Sequence, residues 1–102
     1  LEEIADRFEH LGTLYESGGD LRRAGECFVA AGDRALAERR AERARQLYLR
    51  GVRLLDLDDS VFKMDALHKL GDAAARVGRS REAIAHFHAM LRIAWRLDLP
   101  AK

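Results

Sequence analysis

The stretch FEHLGTLYESGGDLRRAGECFVAA, at positions 8–31, decides the fold. Its apolar residues recur three and four positions apart on both sides of Gly18-Gly19-Asp20, which is the spacing of amphipathic helices. A glycine at this point can take the left-handed conformation that ends a helix, and Asp20 can accept the free backbone N–H groups that begin the next one. The stretch therefore predicts two helices joined by a tight turn.

The same pattern extends outward over the rest of the chain. A weaker break falls at Arg39-Arg40, an acidic run at 56–59 and a further turn at Gly78-Arg79-Ser80. No run alternates with the period of two that a strand requires. We expect one all-α domain over residues 1–102, made of antiparallel hairpins of five helices, at about 1–17, 20–38, 41–56, 60–77 and 80–98.

The helices repeat one another. A shift of 39 positions places Gly32 on Gly71 and Tyr48 on Phe87. In each copy a small residue on the first helix is followed by an aromatic residue on the second. A further copy, nearer the start of the chain, has Gly12 followed by Phe28. Small side chains where two helices approach, with aromatic rings filling the space beside them, predict tightly packed hairpins. Because the copies overlap, the second helix should belong to two hairpins.

The first copy carries a recognisable signature. Its residues follow the pattern W-x2-L-G-x2-Y and then A-x3-F, with a phenylalanine in place of the tryptophan, at Phe8, Leu11, Gly12, Tyr15, Ala24 and Phe28. The chain thus resembles the tetratricopeptide repeat (TPR) family. The resemblance implies a TPR-like α-solenoid that binds a protein or peptide through its concave face. The helical region is also similar to that of large bacterial signalling ATPases, cyclases and kinase-linked regulators.

The resemblance also implies which side chains would line the binding groove. In that family the first helix of each hairpin presents its side chains to the partner. The matching positions here are Asp6, Glu9, Thr13, Glu16 and Ser17 on the first helix and Asp65, His68, Asp72, Ala75 and Arg76 on the fourth. A solvated helix face that binds nothing is the alternative for each of them.

Composition narrows the remaining possibilities. The net charge of +1 provides no overall field for nucleic acid or a membrane, and no apolar run approaches a membrane span. The single cysteine suits a reducing compartment, so we expect a cytoplasmic protein. Since the chain starts at Leu1, within an amphipathic pattern, we interpret it as a piece of a longer repeat array.

No set of residues predicts catalysis, a cofactor or a metal site. His86 and His88 are two positions apart on a helix and point in different directions, which is unsuitable for chelation. Cys27 stands beside Phe28 with no nearby histidine, which favours a packing role over a nucleophile. Seven arginines within residues 34–53 could attract a phosphate backbone, but a basic surface with extended stems is the favoured interpretation.

Two functional hypotheses follow. The first is a non-catalytic protein-interaction module. The second is a structural spacer or self-association segment of a larger bacterial regulatory protein, whose exposed ends near Leu1 and Trp95 stack on neighbouring repeats.

Overall fold

The computed structural model describes residues 2–55 and 60–97, and within them it contains five α-helices and no strand. The helices are α1 (Glu2–Ser17), α2 (Leu21–Ala37), α3 (Ala41–Leu54), α4 (Val61–Arg76) and α5 (Ser80–Arg96). The predicted all-α fold is confirmed, and the predicted helix limits within the described residues differ from the observed ones by at most one residue. The predicted limits at residues 1, 56 and 98 lie outside the described residues.

Three of the connections between helices are tight turns with the same backbone geometry. Each contains a residue with positive φ: Gly19 at 83°, Arg39 at 62° and Gly78 at 83°. The next residue donates its N–H to the carbonyl five positions back, at 2.9 Å in each of the pairs Asp20–Tyr15, Arg40–Ala35 and Arg79–Ala74. These bonds satisfy carbonyls that the helix end leaves free. The predicted break at Arg39-Arg40 is therefore a complete turn, formed without a glycine.

The hairpins share one packing contact. A Cβ added to the glycine of the first helix would meet the ring of an aromatic residue 16 positions later, at 3.0 Å for Gly12 and Phe28, 2.6 Å for Gly32 and Tyr48, and 2.6 Å for Gly71 and Phe87. Each ring therefore lies directly on the backbone of the facing helix. The expected packing of small residues beside large ones is confirmed in all three hairpins.

Helix α2 belongs to two of these hairpins, as its sequence predicts. Its Phe28 packs on α1, while its glycines receive side chains of α3. The backbones of α2 and α3 approach closely, since a Cβ on Gly51 would lie 3.1 Å from the carbonyl oxygen of Gly25. Only residues without side chains allow two helices to come this near.

Ion pairs connect helices that are two apart in the chain. They link α1 with α3, α2 with α4 and α3 with α5, through Glu9–Arg43, Glu16–Arg50, Asp33–Lys69 and Arg45–Glu82. Helices α1, α3 and α5 are thus joined in one row, and α2 and α4 in another.

The core lies in the middle of this arrangement. Its largest fully buried side chains are Phe28 of α2, Tyr48 of α3, Leu55 at the C-cap of α3 and Leu70 of α4. The first and last helices cover this core and keep apolar side chains on their outer faces. None of the helices within the described residues is long and apolar enough to cross a membrane.

Candidate functional site

The predicted groove residues of α1 are spaced three and four positions apart, so they share one side of the helix, but they have different contacts. Glu9 and Glu16 turn toward α3, where they form ion pairs with Arg43 and Arg50. Asp6 lies on the outer face of the helix, in a shallow depression that also includes Arg7, His10, Leu11 and Leu14. Thr13 is exposed and donates its hydroxyl to the carbonyl of Glu9, 3.1 Å away. Glu9 and Glu16 keep 26% and 39% of their side-chain surface exposed in these ion pairs, so the four side chains still line one accessible side of α1.

The contacts of Arg50 show what the α1 carboxylates do. Its guanidinium donates to Glu16 at 3.0 Å and lies over the ring of Phe28, 4.2 Å from the centroid. A cation placed over an aromatic face is attracted by the negative charge of the ring. The side chain thus connects α1, α2 and α3, and Glu16 has a structural role in this contact.

The predicted residues of α4 stay together on one exposed face. Asp65 pairs with Lys69 at 3.4 Å, and Asp72 pairs with Arg76 at 3.0 Å. Pairs this exposed contribute little to stability, about 0–1 kcal/mol each. Their charges therefore remain accessible to a partner at small cost.

His68 lies beside a shallow groove between α4 and α5. Its ring is 5.8 Å from that of Phe87, measured between centroids, at an interplanar angle of 51°. The groove is lined by Val61, Met64, Asp65, His68 and Met90. Apolar side chains with one carboxylate and one imidazole at the edge suit an amphipathic peptide.

The α1 and α4 groups are held by different neighbours. The α1 carboxylates bind α3, whereas the α4 set adjoins Asp33 of α2 through Lys69. Among the side chains that the structure describes, no ion pair or hydrogen bond joins the two groups. The depression between α4 and α5 is the candidate site, which we call the α4–α5 groove: Val61, Met64, Asp65, His68 and Met90.

A polar network of the buried Tyr48 with the more exposed Asp33 and Lys69 adjoins this groove, because Lys69 also pairs with Asp65. The hydroxyl of Tyr48 donates to Asp33 at 2.6 Å, and Lys69 binds the other oxygen of Asp33 at 3.0 Å. Burial, together with the adjacent carboxylate of Asp33, raises the pKa of Tyr48 well above its usual value. The phenol is therefore neutral and acts as a donor, and it ties α3 to α2.

Part of the groove was not predicted from the sequence. Val61, Met64 and Met90 have the spacing of core residues, yet Val61 is 62% exposed and the methionines are half-buried. Methionine is common on surfaces that adapt to different partners. The presence of both methionines of the chain at one groove is the signal that could have indicated it.

The arginine-rich segment is largely neutralised by neighbouring carboxylates. Arg45 binds Glu42 at 2.6 Å and Arg34 binds Glu38 at 3.3 Å, while Arg43 and Arg50 hold α1. Only three of the seven arginines have no carboxylate partner within the part of the chain that the structure describes: Arg39, Arg40 and Arg53. Most of the positive charge of this segment is therefore paired with carboxylates within the fold.

Two titratable residues outside the α4–α5 groove, Cys27 and His86, have shifted pKa values. Cys27 is only partly buried, and burial, with Glu26 beside it, raises the pKa of the thiol, which disfavours the nucleophilic thiolate. Burial lowers the pKa of His86. Within residues 2–55 and 60–97, no three histidine, cysteine or carboxylate side chains come close enough together to hold a metal ion.

No protein-family model matches the chain, and no curated protein is significantly similar to it.

Proposed function

We propose that this chain is a non-catalytic protein-interaction module of the TPR type, which binds a peptide or a small domain. The observation that carries the proposal is the repeated glycine-on-aromatic contact, at one spacing of 16 residues in three hairpins. The glycine and the aromatic residue of this contact stand at defined positions of the TPR signature, so the signature describes how two helices pack. The two rows of helices are also compatible with a stacked solenoid. The single cysteine supports a reducing compartment, and we place the module in the cytoplasm.

The α4–α5 groove is the part of the proposed concave surface that suits a ligand best. Val61, Met64 and Met90 offer apolar contact, and Asp65 places a negative charge at the edge. A short amphipathic segment with an apolar anchor and a nearby basic residue is complementary to this surface.

Selection from a displayed peptide library, followed by calorimetry, tests the proposal. The enriched peptides should carry an apolar residue near a basic one, and their affinity should fall at least about tenfold with Asp65→Arg, a loss of about 1.4 kcal/mol. The matched control is Asp6→Arg, which makes the same charge change at an exposed position on α1 and should leave binding unchanged. Failure of the folded chain to enrich any peptide, or equal loss with both variants, would contradict the proposal.

The second candidate function is a structural spacer or self-association segment of a larger bacterial regulatory protein. It is favoured by the apolar ends, above all by Trp95, which is 73% exposed. A large apolar side chain in this position is typical of a surface that another helix covers.

A further inference from the structure

The first and last helices each expose an apolar stripe. On α1 it contains Ile4, Leu11 and Leu14, which are 41%, 41% and 55% exposed. On α5 it contains Ile84, Leu91 and Trp95, which are 55%, 43% and 73% exposed. Residues three, four and seven positions apart share one side of a helix. We call these stripes the head face (Ile4, Arg7, Leu11 and Leu14) and the tail face (Ile84, His88, Leu91 and Trp95).

The residues of α3 that correspond to the tail face in the repeat are covered by other helices. The 39-residue shift that places Tyr48 on Phe87 also places Arg45, Leu49 and Val52 of α3 on Ile84, His88 and Leu91. Arg45 and Val52 are buried and Leu49 is half-buried. Arg45 reaches Glu82 of α5 at 3.5 Å, on the side of α3 where α4 and α5 follow. The tail face is thus the side on which the next helix of the stack would pack.

The head face has a covered counterpart as well. A shift of 59 positions places Gly12 on Gly71, and it places the head face on Lys63, Ala66, Leu70 and Ala73 of α4. All four of these residues are buried. Gly71 faces α5, and the other helix that packs extensively on α4 is α3, so α3 accounts for the burial of these residues on other sides of α4. Helix α1 therefore has the surface of α4, and none of the helices within residues 2–55 and 60–97 covers it.

We propose that copies of this chain associate head to tail, with the tail face of one copy packing on the head face of the next as α3 packs on α4. The second copy is the occupant because each copy carries both halves of the joint, at opposite ends of its stack. Such a heterologous contact does not close on two subunits, so the product is an open chain of copies.

The side chains at the two faces fit a joint between copies. The internal joint holds the charged residues Arg45 and Lys63, but their counterparts at the ends are Ile84 and Ile4. The Lys69–Asp33 ion pair that crosses from α4 to α2 also has a counterpart, which would place His10 of one copy near Asp72 of another. The exchange of Leu49 and Ala66 for His88 and Arg7 offsets these changes, so the joint between copies is as polar as its internal model and differs from it in where the polar side chains lie.

Sedimentation velocity on the full chain, from about 5 to 500 µM, tests the proposal together with two variants. Leu14→Asp inactivates the head face and Trp95→Asp the tail face, and both side chains are too exposed for these changes to disturb folding. Wild type should form concentration-dependent oligomers of micromolar affinity. Each variant alone should stay monomeric, because it lacks one half of the joint, and an equimolar mixture should form a 1:1 dimer that grows no further.

Fluorescence gives a second measurement, because Trp95 is the only tryptophan in the chain. In the mixture only the Leu14→Asp copy contains it, so its emission should shift to shorter wavelength when the Trp95→Asp partner is added. The matched controls Thr13→Asp and Ala75→Asp, at exposed positions away from both faces, should associate as wild type does. Circular dichroism should show every variant folded.

Other results would overturn the proposal. A wild-type chain that is monomeric at 500 µM would show that a second copy is not what covers these faces. A Trp95→Asp variant that still dimerises would indicate a symmetric contact between two head faces, and a Leu14→Asp variant that does so would indicate two tail faces. None of the substituted residues lies in the α4–α5 groove, so this test and the peptide test fail independently.

Discussion

At the scale of the residue, three glycines hold the hairpins together because they have no side chain. The closest approach is at Gly32, where an added Cβ would lie 2.6 Å from two ring carbons of Tyr48. Tyr48 is only 1% exposed and its hydroxyl is fixed on Asp33, so the ring has no free direction in which to move. A Cβ at Gly32 could therefore be accommodated only if α2 and α3 moved apart.

We predict that Gly32→Ala destabilises the chain by about 1–3 kcal/mol, the usual range for an overpacked core. Alanine is favoured over glycine within a helix by about 1 kcal/mol, so a net loss would show that the clash outweighs this gain. Urea unfolding followed by circular dichroism measures the change. Gly18→Ala is the control, since its Cβ would have neighbours at 3.6 and 3.7 Å and should change stability little.

A second residue-scale prediction concerns Arg39, the only residue other than glycine with positive φ among those that the structure describes. A side chain in this conformation costs roughly 1–2 kcal/mol, whereas glycine loses about 0.5–1 kcal/mol more backbone entropy on folding. Arg39→Gly should therefore stabilise the chain by up to about 1 kcal/mol in thermal or urea unfolding. Arg40→Gly, one position later at φ −104°, relieves no strain and should be neutral or destabilising.

At the scale of the element, the helix limits could be predicted because local signals mark them. Asp20 caps α2 by accepting from the N–H of Arg23, and Gly19 and Gly78 end α1 and α4 with positive φ. The ties between helices could not be predicted in the same way. Glu9 and Arg43 are 34 positions apart, and nothing in their local sequence indicates that α1 and α3 are neighbours. Glu9 and Glu16, which the sequence assigns to the groove side of α1, form ion pairs with α3 that the sequence does not predict.

The first turn of α3 gives a prediction about pH. Hydrogen bonds from Arg45, assisted by Gln46 and by the charge of Arg79, lower the pKa of Glu42 from 4.5 to about 2. Since the folded state binds this proton less readily than the unfolded state, the carboxylate stabilises the fold above pH 4.5. That contribution is lost as the pH falls from about 4.5 toward 2.

Comparison of wild type with Glu42→Gln tests this assignment. The amide cannot ionise, so the variant should be less stable at pH 7, and the difference in unfolding free energy should shrink as the pH approaches 2. Urea unfolding at pH 7, 4 and 2.5 follows the change. A difference that is the same at all three values would show that the carboxylate of Glu42 does not titrate with folding.

At the scale of the whole molecule, burial is uneven along the chain. Helices α2, α3 and α4 supply most of the buried core, whereas α1 buries only Ala5 and Gly12 among its described side chains. The sequence does not reveal this difference, because Ile4, Leu11 and Leu14 have the same spacing as core residues elsewhere. Which stripes are covered depends on how the helices stack, and that is visible only in three dimensions.

This asymmetry predicts the order in which the structure opens. Local stability follows the number of buried apolar contacts, so backbone amides of α1 should exchange with solvent faster than those of α2 and α3. Hydrogen exchange with mass spectrometry measures this, on the Trp95→Asp variant at low concentration so that association does not add protection. For wild type at high concentration, head-to-tail contact should slow exchange in α1 and α5 and leave α3 unchanged. Equal exchange in α1 and α3 at low concentration would mean that the chain unfolds as a single cooperative unit, with α1 held as firmly as the core through the Arg43 and Arg50 ion pairs.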